Sequence, residues 1–267
     1  MTNKISKELS IQVDLNGLSF CILDTSEDKF TYFKRLEFKS KLTPFDTLNA
    51  LKAELSSNTV FSGDFKSVLI IHQNELSTLV PKALYDASNN ADYLKFNSKI
   101  LQTDFITKDK LKSIEAVNVF IPYVNINNYI FETFGEFTYK HASTVLIDTI
   151  IEKYSTLDET LFVNVHKGSM EVIVMKDKQL ELFNRFDYTT TEDFLYYILF
   201  VAEQLNLNPE TLIVKLSGTV TKDSPLFESI YKYIRHVDVL ECSTTFNCDT
   251  IAEIDRLPNN FIILNSI

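Results

Sequence analysis

The 267-residue chain is 45% hydrophobic and 23% charged, ordinary globular composition for one large domain or two of roughly 130 residues. A formal net charge of −10 at pH 7 and a pI near 5.0 argue against a nucleic-acid partner. Of the 26 basic residues only Arg35, Arg185, Arg235 and Arg256 are arginines, the side chain that clamps phosphate in bidentate fashion.

Cys21, Cys242 and Cys248 are too few and too unevenly spaced for a disulfide framework or a zinc site. Cys21 falls in an apolar strand pattern and is expected to be a small core residue. The start, Met1-Thr2-Asn3-Lys4, lacks the apolar core of a signal peptide. The longest apolar run, Phe194 to Ala202, is about half of what a spanning helix needs. These features predict a cytoplasmic, reduced protein without a membrane span.

The chain opens with alternation, Leu9, Ile11, Val13 and Leu15 lying on one strand face. Asn16-Gly17 signals a turn, and Ser19 to Leu23 reads as a second strand. Ser26-Glu27-Asp28-Lys29 turns the chain into a third strand, Phe30 to Phe38. Leu48, Leu51 and Leu55 have helical spacing near 44 to 56, with Pro44 suited to the first turn. Ser67 to His72 reads as a short buried strand, followed by a predicted helix from about Pro81 to Ala87. A less regular stretch carries the strand Ala116 to Pro122 and a helix around Ile126 to Phe134. His141 to Tyr154 is the next predicted helix, leading into the second half.

That half repeats the order: strands Leu161 to Val165, Met170 to Met175 and Leu180 to Phe186, then a helix to about Asn206 capped by Thr190 or Thr191. Thr211 to Leu216, a helix from Leu226 to Ile234 and a strand from Val237 to Leu240 complete it. At an offset of 150 residues Val13-Asp14-Leu15 aligns with Val163-Asn164-Val165, and Ser19 with Ser169. Phe33 to Phe38 aligns with Phe183 to Tyr188, and Leu48, Leu51 and Leu55 with Ile198, Val201 and Leu205. A period this long points to a duplicated domain rather than a solenoid.

Three strands in a meander, a crossover helix and a fourth strand resemble the ribonuclease-H-like order. Two such β-β-β-α-β domains in tandem resemble the actin-like ATPase superfamily, which includes sugar kinases, heat-shock ATPases, actin and pilus-assembly ATPase-like proteins. The opening strands, Thr78-Leu79-Val80-Pro81-Lys82, Tyr93-Leu94-Lys95-Phe96 and the His141 helix are similar to a Bacteroidetes family known as a domain of unknown function with this fold. The resemblance implies an α/β (α+β) architecture. Its first ribonuclease-H-like domain is residues 1–140, with an insertion at about 88–140, and its second is residues 141–267.

Superfamily members hold ATP between the two copies, using Asp-x-Gly-x-x-Ser/Thr at the first hairpin of each. The aspartate handles metal or water, and the glycine lets phosphate approach the backbone. The first hairpin reads Asp14-Leu15-Asn16-Gly17-Leu18-Ser19, with Asn16 at the glycine place. The second reads Asn164-Val165-His166-Lys167-Gly168-Ser169, with Asn164 for the aspartate and His166 for the glycine. The adenosine motif, a strand ending in two glycines, keeps only Gly218 in Leu216-Ser217-Gly218-Thr219. What the resemblance implies is a degenerate nucleotide cleft of Asp14, Asn16, Gly17, Ser19, Asn164, His166, Ser169 and Gly218. No catalytic residue and no resident metal or cofactor is expected, with at most weak ATP and magnesium binding.

Four of these residues have a plainer reading: Asp14 as a turn residue, Ser19 and Ser169 as strand hydroxyls, and His166 as part of a solvated turn. His72, near Glu75, has the makings of a general base. No nucleophile elbow accompanies it, and a hydrogen-bonded structural histidine is the simpler reading. The helix through Phe194-Leu195-Tyr196-Tyr197-Ile198-Leu199-Phe200 is apolar all round, which hints at a further interface. The leading expectation is a non-catalytic actin-like protein that acts as an interaction or assembly factor for a protein partner. The alternatives are a divergent kinase or ATPase of the same superfamily and, more remotely, a metal-dependent nuclease.

Overall fold

The computed structural model describes residues 5–96, 98–154, 156–157, 159–240, 246–247 and 258–267. Cys242, Cys248 and Arg256 lie outside them. The chain divides into two compact units, Met1–Leu146 with Thr244–Asp255 and Ile262–Ile267, and Ile147–Ser243 with Arg256–Phe261.

In the first unit the chain runs β1 (Lys7–Asp14), β2 (Gly17–Asp24), β3 (Lys29–Glu37), α1 (Pro44–Ser57) and β4 (Ser67–His72). A small module follows, with β5 (Ser77–Pro81), α2 (Asn90–Lys95), β6 (Thr107–Lys110) and β7 (Ala116–Phe120). Then come α3 (Val124–Phe134), β8 (Thr138–His141) and α4 (Ala142–Tyr154), within which the division falls. The main sheet has the order β3-β2-β1-β4-β8, and the module a separate sheet β5-β7-β6. Leu9, Ile11 and Val13 pack with Leu48, Leu51 and Leu55 of α1 and with Ile126 and Ile130 of α3. The two spacings read from the sequence, two and three-to-four, thus meet in one core. Cys21 is buried in β2.

The helix expected at Pro81 to Ala87 is replaced by the end of β5 and two single-turn 3-10 segments, Lys82–Leu84 and Ala87–Asn89. Backbone pairing of Ser77–Pro81 with β7 and the bond from Lys82 N to Glu115 O (2.9 Å) hold this segment to the sheet. That pairing leaves too few residues for a helix.

The second unit runs β9 (Thr160–His166), β10 (Ser169–Lys176), β11 (Gln179–Asp187), α5 (Thr191–Gln204), β12 (Ile213–Gly218), α6 (Pro225–Tyr231) and β13 (His236–Val239). A last short helix, α7 (Phe261–Leu264), falls from Ile262 onward in the first unit. The sheet order β11-β10-β9-β12-β13 repeats that of the first unit. Thr190 caps α5 in a full capping box, accepting from Asp193 N while Asp193 accepts from the Thr190 backbone. Thr190→Ala is expected to cost about 1 kcal/mol, read as a lowered urea midpoint. No helix of the described residues is long and apolar enough to cross a membrane.

Matched element by element, the two units are not separated by a constant 150 residues. β2 opens at Gly17 and β10 at Ser169, so the first hairpins lie 152 apart. β3 and β11, opening at Lys29 and Gln179, lie 150 apart, and α1 and α5 lie 147 apart. β4 and β12 lie 146 apart. Turn length explains the first slip: four residues join β2 to β3, but only Asp177-Lys178, both at positive φ, join β10 to β11.

Candidate functional site

The corrected register changes which residues correspond. Asp14 pairs with Gly17 to close the first hairpin, as His166 pairs with Ser169 to close the second. Val13 faces His72 across β4, as Val165 faces Gly218 across β12. The counterpart of Asp14 is therefore His166, not Asn164. The second motif is His166-Lys167-Gly168-Ser169-Met170-Glu171, in which Gly168 keeps the glycine place that His166 was expected to fill. Asn164 answers to Gln12, and Glu171 to Ser19.

In the first unit the Asp14 carboxylate turns back on its own hairpin. Its Oδ1 accepts from Asn16 N at 2.6 Å and from Asn16 Nδ2 at 3.0 Å, the arrangement of an Asx turn. Gly17 is needed for sheet packing, since a Cβ there would sit 2.4 Å from the Leu36 carbonyl. Ser19 is buried in β2 opposite Gln12. Gln12, a residue that the sequence analysis did not single out, donates from Nε2 to Gln73 Oε1. Gln73 in turn receives Tyr123 Oη on its carbonyl at 3.0 Å. Burial, with the negative charges of Asp14 and Glu75 nearby, holds the Tyr123 phenol far above its usual range.

His72 ends β4, fully buried, and lies against Asn127 rather than Glu75. Its Nε2 is 2.9 Å from Asn127 Oδ1, and Nδ1 accepts from Tyr123 N at 3.3 Å. Both ring nitrogens are thus satisfied in the neutral Nε2–H form. Burial pushes its pKa down to about 3, with His141 adding to the depression and Asn127 opposing it. The geometry is that of a structural histidine.

In the second unit a polar row crosses three strands. Asn164 on β9 lies directly opposite Glu171 on β10 and Ser217 on β12. Ser217 Oγ donates to Asn164 Oδ1 at 3.0 Å, and Asn164 Nδ2 donates to Glu171 Oε2 at 2.9 Å. His166 Nε2 meets the same carboxylate oxygen at 3.0 Å and lies 3.1 Å from Asn164 Nδ2. Glu171 is nearly sealed, its side chain 6% exposed against 22% for His166. Sequence reading missed Glu171, although a lone carboxylate between Met170 and Val172 in an apolar strand is a visible signal.

Ser169, buried, closes the hairpin, and Gly168 takes a left-handed φ of +81°. Gly218, at φ +84°, is pressed on β9: a Cβ would lie 2.0 Å from Val165 O and 2.7 Å from Val165 N. Thr219 N donates to that same carbonyl at 2.8 Å. Of the eight residues named from the sequence, the first unit thus brings together Asp14, Asn16 and Gly17 in one turn. The second joins Asn164 to His166 and sets Ser169 and Gly218 beside them on neighbouring strands. Among the described residues no group of three or more His, Cys, Asp or Glu side chains is placed to hold a metal ion.

Solved structures with the same fold extend over nearly the whole chain. A Bacteroides thetaiotaomicron VPI-5482 protein with an actin-like ATPase fold and unknown function is 24% identical, with a TM-score of 0.79 over 90% of this chain and 92% of that one. The PilM–PilN type IV pilus biogenesis complex is 10% identical, with a TM-score of 0.63 over 97% and 96%. The ethanolamine utilization protein EutJ from Carboxydothermus hydrogenoformans is 8% identical, with a TM-score of 0.51 over 99% and 92%. These likenesses establish the actin-like ATPase fold of two ribonuclease-H-like units. No curated protein shows significant similarity. The profile of one family spans residues 1–237, and the chain belongs to it: DUF3822, a family of proteins of unknown function.

Proposed function

We propose that this protein is a non-catalytic member of the actin-like group, a pseudo-ATPase that serves as an interaction or assembly factor for a protein partner. The observation that carries the reading is the second hairpin. Where the superfamily resemblance expects an aspartate, His166 stands, bound to the buried Glu171. Glu171 Oε2 holds both the Asn164 amide and the His166 ring, so the polar groups beneath that hairpin are turned onto a carboxylate rather than towards an incoming phosphate. In the first hairpin the one aspartate present is engaged by Asn16. These residues do not fit a magnesium–nucleotide complex.

The reading of two duplicated domains, residues 1–140 and 141–267, is supported by the shared strand order. A partner is supported by the PilM–PilN structure, in which a protein of this fold is found in a complex. Function must still be argued from the site and not the fold. Calorimetric titration with ATP and magnesium, beside a phosphate-release assay, tests the reading. Neither micromolar binding nor release above background is expected. Micromolar binding with turnover that Asp14→Ala abolishes would instead establish a divergent ATPase or kinase.

A further inference from the structure

A cavity of about 570 Å³ opens within the first unit, apart from the hairpin sites. It lies beside Ile5 and Val68, at the amino ends of β1 and β4, whereas Asp14 and His72 stand at the carboxyl ends of those strands. Two helices end at it. α1 contributes Leu55 and Ser56 from its last turn, and α3 contributes Thr133 and Phe134 from its own. The loop Ser62-Gly63-Asp64 also lines it. The volume falls in the range of small-molecule sites.

The buried part of the lining is apolar: Leu55, Phe61 and Val68 are 8%, 5% and 4% exposed. Phe65 and Phe134 add an aromatic wall, meeting edge to face with centroids 5.8 Å apart. Every charged residue of the lining is acidic. Asp64 and Glu136 are both exposed, and among the described residues neither is engaged in an ion pair. The last turns of α1 and α3 contain no basic residue, so the partial negative charge of their terminal carbonyls is not offset from within either helix. The two neighbouring lysines lie outside the lining and are engaged: Lys66 Nζ with Glu8 Oε1 at 2.7 Å, and Lys52 Nζ over the Tyr129 ring, 5.0 Å from its centroid. Tyr129 lines the cavity, so one of its rings is already the seat of a cation.

We propose that this cavity binds a small organic cation, an ammonium ion carrying an apolar body. The body covers Leu55, Phe61 and Val68, and the ammonium stays at the rim with the carboxylates of Asp64 and Glu136. Charge and burial together select that class. An anion would meet two carboxylates and two helix ends of its own sign. A bare metal ion would gain nothing from the apolar lining, and no group of three or more His, Cys, Asp or Glu side chains among the described residues is placed to hold one. A neutral apolar molecule would use the buried lining alone. An amphipathic cation gains from the apolar surface it covers, from the aromatic wall and from the two carboxylates.

Titration of the full chain with 2-phenylethylammonium, followed in amide NMR spectra, tests the proposal, with 3-phenylpropionate as an anion of similar shape. The ammonium is expected to bind with a dissociation constant below about 1 mM, and the anion roughly ten-fold more weakly or not at all. Shifts should centre on Gly63, Asp64, Phe65 and Thr133. Asp64→Asn and Glu136→Gln remove exposed charges without touching the core, and each should weaken binding about three-fold, the pair together about ten-fold. Glu228→Gln, which removes an exposed carboxylate of α6 in the second unit, should leave affinity unchanged and so separates the cavity from the general acidity of the surface. No binding of the ammonium, equal binding of the anion, or an affinity indifferent to Asp64 and Glu136 would overturn it. None of these readings depends on nucleotide, so the cation site and the pseudo-ATPase stand or fall separately.

Discussion

Below pH 6.5 the protein is expected to lose stability through His72 alone, at up to about 1.4 kcal/mol per pH unit. The imidazole is fully buried, with Nδ1 accepting from Tyr123 N and Nε2 directed at Asn127 Oδ1. Protonating Nδ1 would place one N–H against another and strand a charge in an apolar surround. The folded-state pKa accordingly lies at about 3, below the ordinary 6.5. Because it is lowered, the unfolded chain binds the proton first. The histidine's contribution is complete above pH 6.5, declines as the pH falls towards 3, and is level below that. At pH 4.5 the loss reaches roughly 2–3 kcal/mol, a large share of a typical domain's stability. Urea unfolding of wild type and His72→Gln across this range isolates the effect, since carboxylate titrations common to both cancel in the difference. The variant should be weaker at pH 7 yet flatter between pH 6.5 and 3. Parallel curves would show that His72 is not the titrating group.

The strands and helices that build both cores were legible in the sequence because each buries one periodic face. Leu9, Ile11 and Val13 announce β1, and Leu48, Leu51 and Leu55 announce α1. β6 was not legible: Thr107-Lys108-Asp109-Lys110 has no apolar signature and is a strand only because it pairs with β7. β8 exists through four parallel pairs with β4, and β5 through β7. The strand order that the two units share was visible, but the alignment of one on the other was not. Turn shortening is invisible to a fixed offset, and a slip of two residues set Asp14 against Asn164 when its counterpart is His166. That slip concealed the pairing of His166 with Glu171, a contact that joins residues five apart through the hairpin between them. In the structural register the second motif departs from the resemblance's pattern at the acid and hydroxyl places, His166 and Glu171. The glycine place is intact in Gly168.

Gly218→Ala is expected to destabilise the second unit by at least about 3 kcal/mol, more than any other glycine substitution in the two hairpin sites. Two costs combine. The backbone is at φ +84°, which a residue with a Cβ adopts only at a penalty of roughly 1–2 kcal/mol. The new Cβ would also lie 2.0 Å from Val165 O, an overlap relieved only by prising β12 from β9 at their last paired residues. That carbonyl also accepts from Thr219 N and Oγ1, so its displacement loosens the chain leaving the strand. Gly168→Ala provides the control: its φ is +81°, but the nearest atom to an added Cβ is Tyr188 O at 3.8 Å, leaving only the conformational cost. Gly17→Ala should fall between them, its cost arising from the Leu36 carbonyl at 2.4 Å. Urea midpoints of the three variants give the ranking directly. They also decide what Gly218 is for, since the superfamily resemblance assigns that place to adenosine. A glycine kept for nucleotide would leave stability intact and change only ATP affinity when replaced. A glycine kept because β9 and β12 could not otherwise touch would unfold the unit whether or not a nucleotide is present, and the Val165 contact predicts the second result.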